Sequence, residues 1–182
     1  EFQVYHFRDV LEKKYYLPGE EMLATDRALK AMRNGQTLLK NTTLLTPLER
    51  QILKARQSNT AKANLCGMGL KEIPKALFEL ADLKALDLSC NYLDSLPAEF
   101  LGFKHLTKIN LFDCEFEAFP EVLLQMPSLQ EINLGKNALT RLPDGLVKLL
   151  GLKKIGLYKC HLNEFPAQFY QMSKLEEIDL SY

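Results

Sequence analysis

LSCNYLDSLP (Leu88–Pro97) and LFDCEFEAFP (Leu111–Pro120) align without a gap, 23 residues apart. The apolar positions stay apolar and the proline stays proline, yet Asn91 becomes Cys114. Working outward, Pro74, Pro97, Pro120, Pro143 and Pro166 keep the same spacing of 23. The segments before them read NLCGMGLKEIP, DLSCNYLDSLP, NLFDCEFEAFP, NLGKNALTRLP and GLYKCHLNEFP. After each proline an apolar residue recurs every third position, as in Phe100, Phe103, Leu106 and again in Leu123, Met126, Leu129.

Two apolar periods therefore coexist in one unit. The L-x-L step is strand-like, because alternate residues of a strand face one side. The later spacing of three suits a turn-rich, 3₁₀-like return. A single 23-residue coil cannot bury its own leucines, so the coils must stack, each strand pairing in parallel with the next. The fold class is an α/β solenoid. With this pattern in hand, the chain from about Thr60 to Tyr182 resembles the leucine-rich repeat family, in the typical 23-residue form common in intracellular members. Four copies are full, the first is degenerate and the last is cut short. The resemblance implies a right-handed horseshoe with a parallel β-sheet on its concave side, following an α-helical amino-terminal cap.

It also implies what asparagine and cysteine share. The ninth position of the unit reads Met68, Asn91, Cys114, Asn137, Cys160. In the family this residue points inward where the chain leaves the strand. Unpaired backbone groups there would cost about 1–3 kcal/mol each. Asparagine donates and accepts, so Asn91 and Asn137 are expected to bridge coils. Cys114 and Cys160 are the smaller substitute, with a weak S–H donor and a tolerance of burial. Met68 has nothing to donate. Cys114 and Cys160 lie two coils apart, roughly 10 Å at about 4.8 Å per strand step, too far for a disulfide. Cys66 and Cys90 occupy other columns. Extracellular members of the family usually carry disulfide-knotted caps. None is visible, which points to a reducing, cytoplasmic location.

The first 59 residues do not repeat and are read as a helical cap region, with the solenoid over 60–182. PGEEMLATDRALKAMRNG, from Pro18 to Gly35, reads as a helix opening on proline and closing at Asn-Gly. TPLERQILKARQ reads as a second, with Thr46 as N-cap, Pro47 at N1 and Glu49 completing a capping box. Leu48, Ile52, Leu53 and Ala55 are expected to face the first coil. EFQVYHF fits a strand or an extended arm. At the other end, Leu175, Ile178 and Leu180 begin a sixth strand and no carboxy-terminal cap follows. The expectation is a longer natural chain, or self-association through that uncapped edge.

The whole chain of 182 residues carries no formal net charge. Its first 59 residues stand at +3 and the rest at −3. No global field draws it to nucleic acid or to an anionic membrane. No apolar run approaches the roughly 20 residues of a membrane helix. Phosphate-binding loops, serine-hydrolase elbows, zinc-protease helices and kinase loops are all missing from the sequence. The expectation is no enzyme, no cofactor and no metal site.

What remains is surface. Outward positions of the strand segment form three columns. The first reads Lys62, Ala85, Lys108, Glu131, Lys154, Glu177. The second reads Asn64, Asp87, Asn110, Asn133, Gly156, Asp179. The third reads Cys66, Ser89, Phe112, Gly135, Tyr158, Ser181. Phe112 and Tyr158, about 10 Å apart across Gly135 by the strand spacing, are expected to frame a notch for a partner's side chain. Lys108 and Lys154 stand on one side of it with Glu131 between them, and Lys136 and Lys159 on the other. Aromatic anchors inside a charged rim are the make-up of interface hot spots. Duplication of coils in pairs explains the same alternation without any ligand. Asp87, Lys108, Asn110, Phe112, Glu131, Asn133, Gly135, Lys154 and Tyr158 are the candidate contacts of a protein partner. The leading reading is a protein-interaction module working through this face. The alternative is the recognition or regulatory part of a larger signalling enzyme, a kinase, GTPase or ubiquitin ligase, with its active site elsewhere.

Overall fold

The structure is a computed structural model that describes residues 45–58 and 60–181. The expected helix at 18–35 and the EFQVYHF segment lie outside the described residues. Helix α1 (Pro47–Gln57) opens the described part. Its capping box forms as expected: the Glu49 amide donates to Thr46 Oγ1 at 3.2 Å, and the Thr46 amide donates to Glu49 Oε2 at 2.7 Å. These bonds let Glu49 sit buried beside Ile52 and Ala55, while Leu48 and Leu53 stay half-exposed. The helix packs on the first strand. Arg56 reaches Glu79 of the first coil at 3.1 Å.

Six three-residue strands follow: β1 (Lys62–Asn64), β2 (Ala85–Asp87), β3 (Lys108–Asn110), β4 (Glu131–Asn133), β5 (Lys154–Gly156) and β6 (Glu177–Asp179). They form one sheet in sequence order, every pair parallel and offset by one repeat: Lys62 faces Ala85, then Lys108, Glu131, Lys154 and Glu177. Between strands the chain returns through short 3₁₀ turns at Lys75–Glu79, Ala98–Gly102, Glu121–Gln125, Asp144–Lys148 and Ala167–Gln171. Each turn starts at one of the five prolines. Proline pre-sets φ and has no N–H to leave unpaired. Its carbonyl accepts from the amide three residues on, as in Leu77 N to Pro74 O at 2.9 Å. The apolar spacing of three is thus the period of this helix.

The core runs between sheet and turns. Leu65, Leu88, Leu111 and Leu134 are fully buried, as are Leu77, Phe100, Leu123 and Leu146 from the turns. Phe78, Phe100 and Phe103 make a three-ring cluster, with Phe100 edge-on to Phe103 at 5.3 Å and to Phe78 at 6.0 Å.

The ladder forms inside the coils. Asn91 Nδ2 donates to Leu65 O at 2.9 Å and to Leu88 O at 2.7 Å, and its Oδ1 accepts from the Leu70 amide at 3.0 Å. Asn137 repeats the pattern with Leu111 O and Leu134 O, both at 2.8 Å, and the Phe116 amide at 3.1 Å. Cys114 Sγ donates to Leu88 O at 3.4 Å and Cys160 Sγ to Leu134 O at 3.3 Å. Each cysteine therefore shares a carbonyl already held by the asparagine of the coil before it.

Burial pushes the Cys114 thiol up to about 11, against a partial downward pull from the Asn91 and Leu93 backbone. Cys160 is raised for the same first reason. A thiol whose pKa is higher folded than unfolded holds its proton better in the native state. Its contribution is complete below the unfolded value near 9 and is lost as pH rises toward 11. Stability measured by urea unfolding is expected to fall between pH 9 and 11. Cys114→Ser should flatten that fall, because serine does not titrate there. A profile unchanged by the substitution would show that Cys114 does not set it.

Candidate functional site

The outward residues of all six strands line a hollow of about 770 Å³, so the sheet face is concave, and Phe112 and Tyr158 stand at its edge. From Lys108 onward the first column holds two ion pairs within the protein. Lys108 Nζ meets Glu131 at 2.7 Å and Lys154 Nζ meets Glu177 at 2.5 Å. Glu177 holds the Lys154 ammonium above its ordinary value. Such exposed pairs are screened by solvent and add little to stability. Their effect on the surface is larger, since they neutralise the centre of the wall.

The second column has a local backbone task. Asn64, Asp87, Asn110, Asn133 and Asp179 each accept, through Oδ1, the amide two residues on, at 2.9 to 3.2 Å. This Asx turn ends the strand. Ser89 and Ser181 add their hydroxyls to Asp87 and Asp179, at 2.6 and 2.5 Å. The Ser181 bonds hold the Asp179 carboxyl below its ordinary value. Gly156 completes the column, and a Cβ there would sit 2.7 Å from Asn133 Oδ1. The carboxamide of Asn133 leans over that glycine.

The third column corrects the expected notch. Phe112 and Tyr158 do not stand apart over Gly135. Their rings lean together, centroids 6.4 Å apart and planes within 17°. Side chains reach further than the strand spacing suggests, and this separation lies within the roughly 4.5–7 Å of an aromatic pair. A Cβ on Gly135 would come within 3.0 Å of the Phe112 ring and 3.1 Å of Tyr158 O, so a larger residue there would have to push the ring or that carbonyl aside by a few tenths of an ångström. Lys136 Nζ lies 5.1 Å from the Phe112 centroid and Lys159 Nζ 5.3 Å from that of Tyr158, both at cation–π range. Lys136 also faces Asp113 at 3.8 Å. The site is a filled, half-exposed aromatic platform in place of an open slot.

One backbone feature escaped the sequence. The residue just before the ladder position has positive φ in every coil: Gly67, Cys90, Asp113, Lys136 and Lys159, at 66°, 57°, 55°, 55° and 51°. The left-handed turn swings the chain inward off the strand and presents the Lys136 and Lys159 side chains at the rim. A second hollow of about 640 Å³ lies along this rim, lined by Lys136, Lys159, His161, Glu115 and Glu117 among others. Among the described residues, no three His, Cys, Asp or Glu side chains gather as a metal site, and no helix is long and apolar enough to cross a membrane.

Comparison with known proteins agrees with this geometry. Residues 59–116 match the family model described as leucine rich repeat. A leucine-rich-repeat protein of Leptospira interrogans superposes with a TM-score of 0.55 at 27% identity, covering 70% of this chain and 39% of its own. The leucine-rich repeat domain of APL1B superposes at 0.62 and 23% identity, over 76% of this chain and 41% of its own, which speaks for the fold alone. The plant peptide hormone receptor RGFR1, solved in complex with RGF2, superposes at 0.50 and 27% identity, over 59% of this chain and 18% of its own. This chain thus spans about two fifths or less of these structures' length. No curated protein sequence matches it. Repeat, ladder, parallel sheet and matches agree: residues 59–116 match the leucine rich repeat model, and the chain has the fold of a leucine-rich-repeat solenoid.

Proposed function

We infer that this chain binds a protein or peptide partner through its concave sheet face, with the Phe112–Tyr158 platform as the main anchor and no chemistry of its own. Domains of this family are in general protein-interaction modules. The observation that carries the finer reading is the platform itself. Two large rings are half-exposed at the edge of a wall whose lysines Lys108 and Lys154 are paired with Glu131 and Glu177. They are held in place by a glycine floor and two lysines before any ligand arrives. Aromatic anchors of this kind dominate binding energy, and holding them in advance lowers the ordering cost. RGFR1, whose structure contains RGF2, is a precedent for ligand capture by this fold. A cytoplasmic setting belongs to the same proposal, supported by four free thiols, two of them serving the ladder.

The test uses binders selected from a displayed library of random peptides. Phe112→Ala with Tyr158→Ala is expected to weaken the selected peptides by about a hundredfold, the loss of roughly 3 kcal/mol at a hot spot. Tyr170→Ala, in the return turn on the opposite side, should leave them unchanged. Binding that survives the double substitution and falls with Tyr170→Ala would move the site off the sheet face.

A further inference from the structure

We propose that Cys66 and Cys90 are a dithiol that closes to a disulfide by exchange with a small-molecule disulfide such as oxidised glutathione, stapling the first coil to the second. Pairing of β1 with β2 continues past the strands through Leu65 N to Asp87 O at 2.8 Å and Gly67 N to Ser89 O at 2.9 Å. Cys66 therefore lies opposite Ser89, and Cys90 is one residue further along the neighbouring coil. Such a diagonal, about 4.8 Å across and 3.3 Å along, spans roughly 6 Å between Cα atoms. That lies inside the range a disulfide tolerates.

The structure shows that side chains on this diagonal meet. Phe112 and Lys136 stand in the same relation two coils on, and the Lys136 ammonium lies 5.1 Å from the Phe112 centroid. Cys90 is exposed and Cys66 half-buried. Cys114 and Cys160, by contrast, are buried with their S–H groups on ladder carbonyls. The left-handed turn at Cys90 sends its side chain away from that ladder. Partial burial raises the Cys90 thiol, and Cys66, Asp113 and Asp87 oppose its thiolate further. The thiolate is the attacking form. Exchange is therefore slow at neutral pH and gathers speed as pH rises.

The chemistry balances without a further reagent. One cysteine thiolate attacks a sulfur of oxidised glutathione and releases one glutathione thiolate. The second cysteine thiolate displaces the other glutathione from the mixed disulfide. One S–S bond forms and one breaks, two electrons pass to glutathione, and the two thiol protons end on its two thiols.

The experiment takes the reduced 182-residue chain, natively folded, into a glutathione buffer of increasing oxidised fraction. Intact mass and non-reducing tryptic mapping read the product. The expected result is a loss of two hydrogens and a crosslink between the peptides Ala63–Lys71 and Ala85–Lys104, with Cys114 and Cys160 still free. The melting temperature should rise by several degrees on oxidation of the natural chain, and not in Cys66→Ser or Cys90→Ser. A chain that stops at a glutathione adduct on Cys90, or that bridges through Cys114 or Cys160, would overturn the proposal. The readout is made on the unsubstituted chain, so it stands even if a variant folds poorly.

Discussion

Asn137→Ala is expected to cost roughly 4 kcal/mol of folding stability, from buried polar groups left without partners. Two backbone groups lose the only bond that Asn137 supplies to each: Leu111 O and the Phe116 amide. Leu134 O fares better, because Cys160 Sγ also donates to it at 3.3 Å. Alanine cannot replace either function, and the site is too deep for water to enter freely. Asn137→Cys should recover part of the loss by donating to Leu111 O, as Cys114 and Cys160 do one coil away. Cys114→Ser should cost about 1 kcal/mol, the scale of one weak bond exchanged. Urea unfolding of the three variants gives the order directly. A loss below about 1 kcal/mol for Asn137→Ala would mean that the ladder does not bind the coils together.

Phe100→Ala is the second large effect, about 3–5 kcal/mol for a buried phenylalanine. Its ring is fully buried and meets Phe103 and Phe78 edge-on, so its loss empties space shared by the first two coils. A solenoid is held by nearest-neighbour interfaces. The damage should therefore be local before it is global. Hydrogen exchange should show amides of β1 and β2 losing protection while β4 and β5 keep most of theirs. Uniform loss along the sheet would show that the coils unfold as one unit.

Much of the fold was legible because its determinants repeat. Five prolines mark the turns, L-x-L marks the strands, and Thr46 with Glu49 marks the start of α1. The ladder was legible too, since only a few side chains can satisfy a turning backbone from inside. The closed platform was not. Strand spacing gives where Cα atoms stand, and it does not say how far a phenylalanine and a tyrosine will lean across a glycine. The left-handed column was hidden for another reason. Glycine marks it only at Gly67, while Cys90, Asp113, Lys136 and Lys159 are held there by the fold against their own preference. The Asx turns did leave a signal, an Asn or Asp as the last residue of five strands of six. Read as contact residues, Asp87, Asn110 and Asn133 concealed the backbone bonds they make.

The alternation along the sheet sets the step by which such a molecule can change length. Lys108 meets Glu131 and Lys154 meets Glu177, Asn137 lies between Cys114 and Cys160, and Gly135 lies between Phe112 and Tyr158. Excision of the single coil 131–153 would set Lys108 against Lys154, cysteine against cysteine, and the two rings side by side with no glycine beneath them. Like charges directly opposite on a sheet repel. Excision of two coils, 108–153, would leave Asn91 followed by Cys160 and keep the order intact. The grammar of ladder and charge row is written in pairs of coils, so the sheet's reach can change by even numbers with those two in register, while the aromatic platform, whose Phe112 and Gly135 lie within 108–153, exists once and goes with that pair.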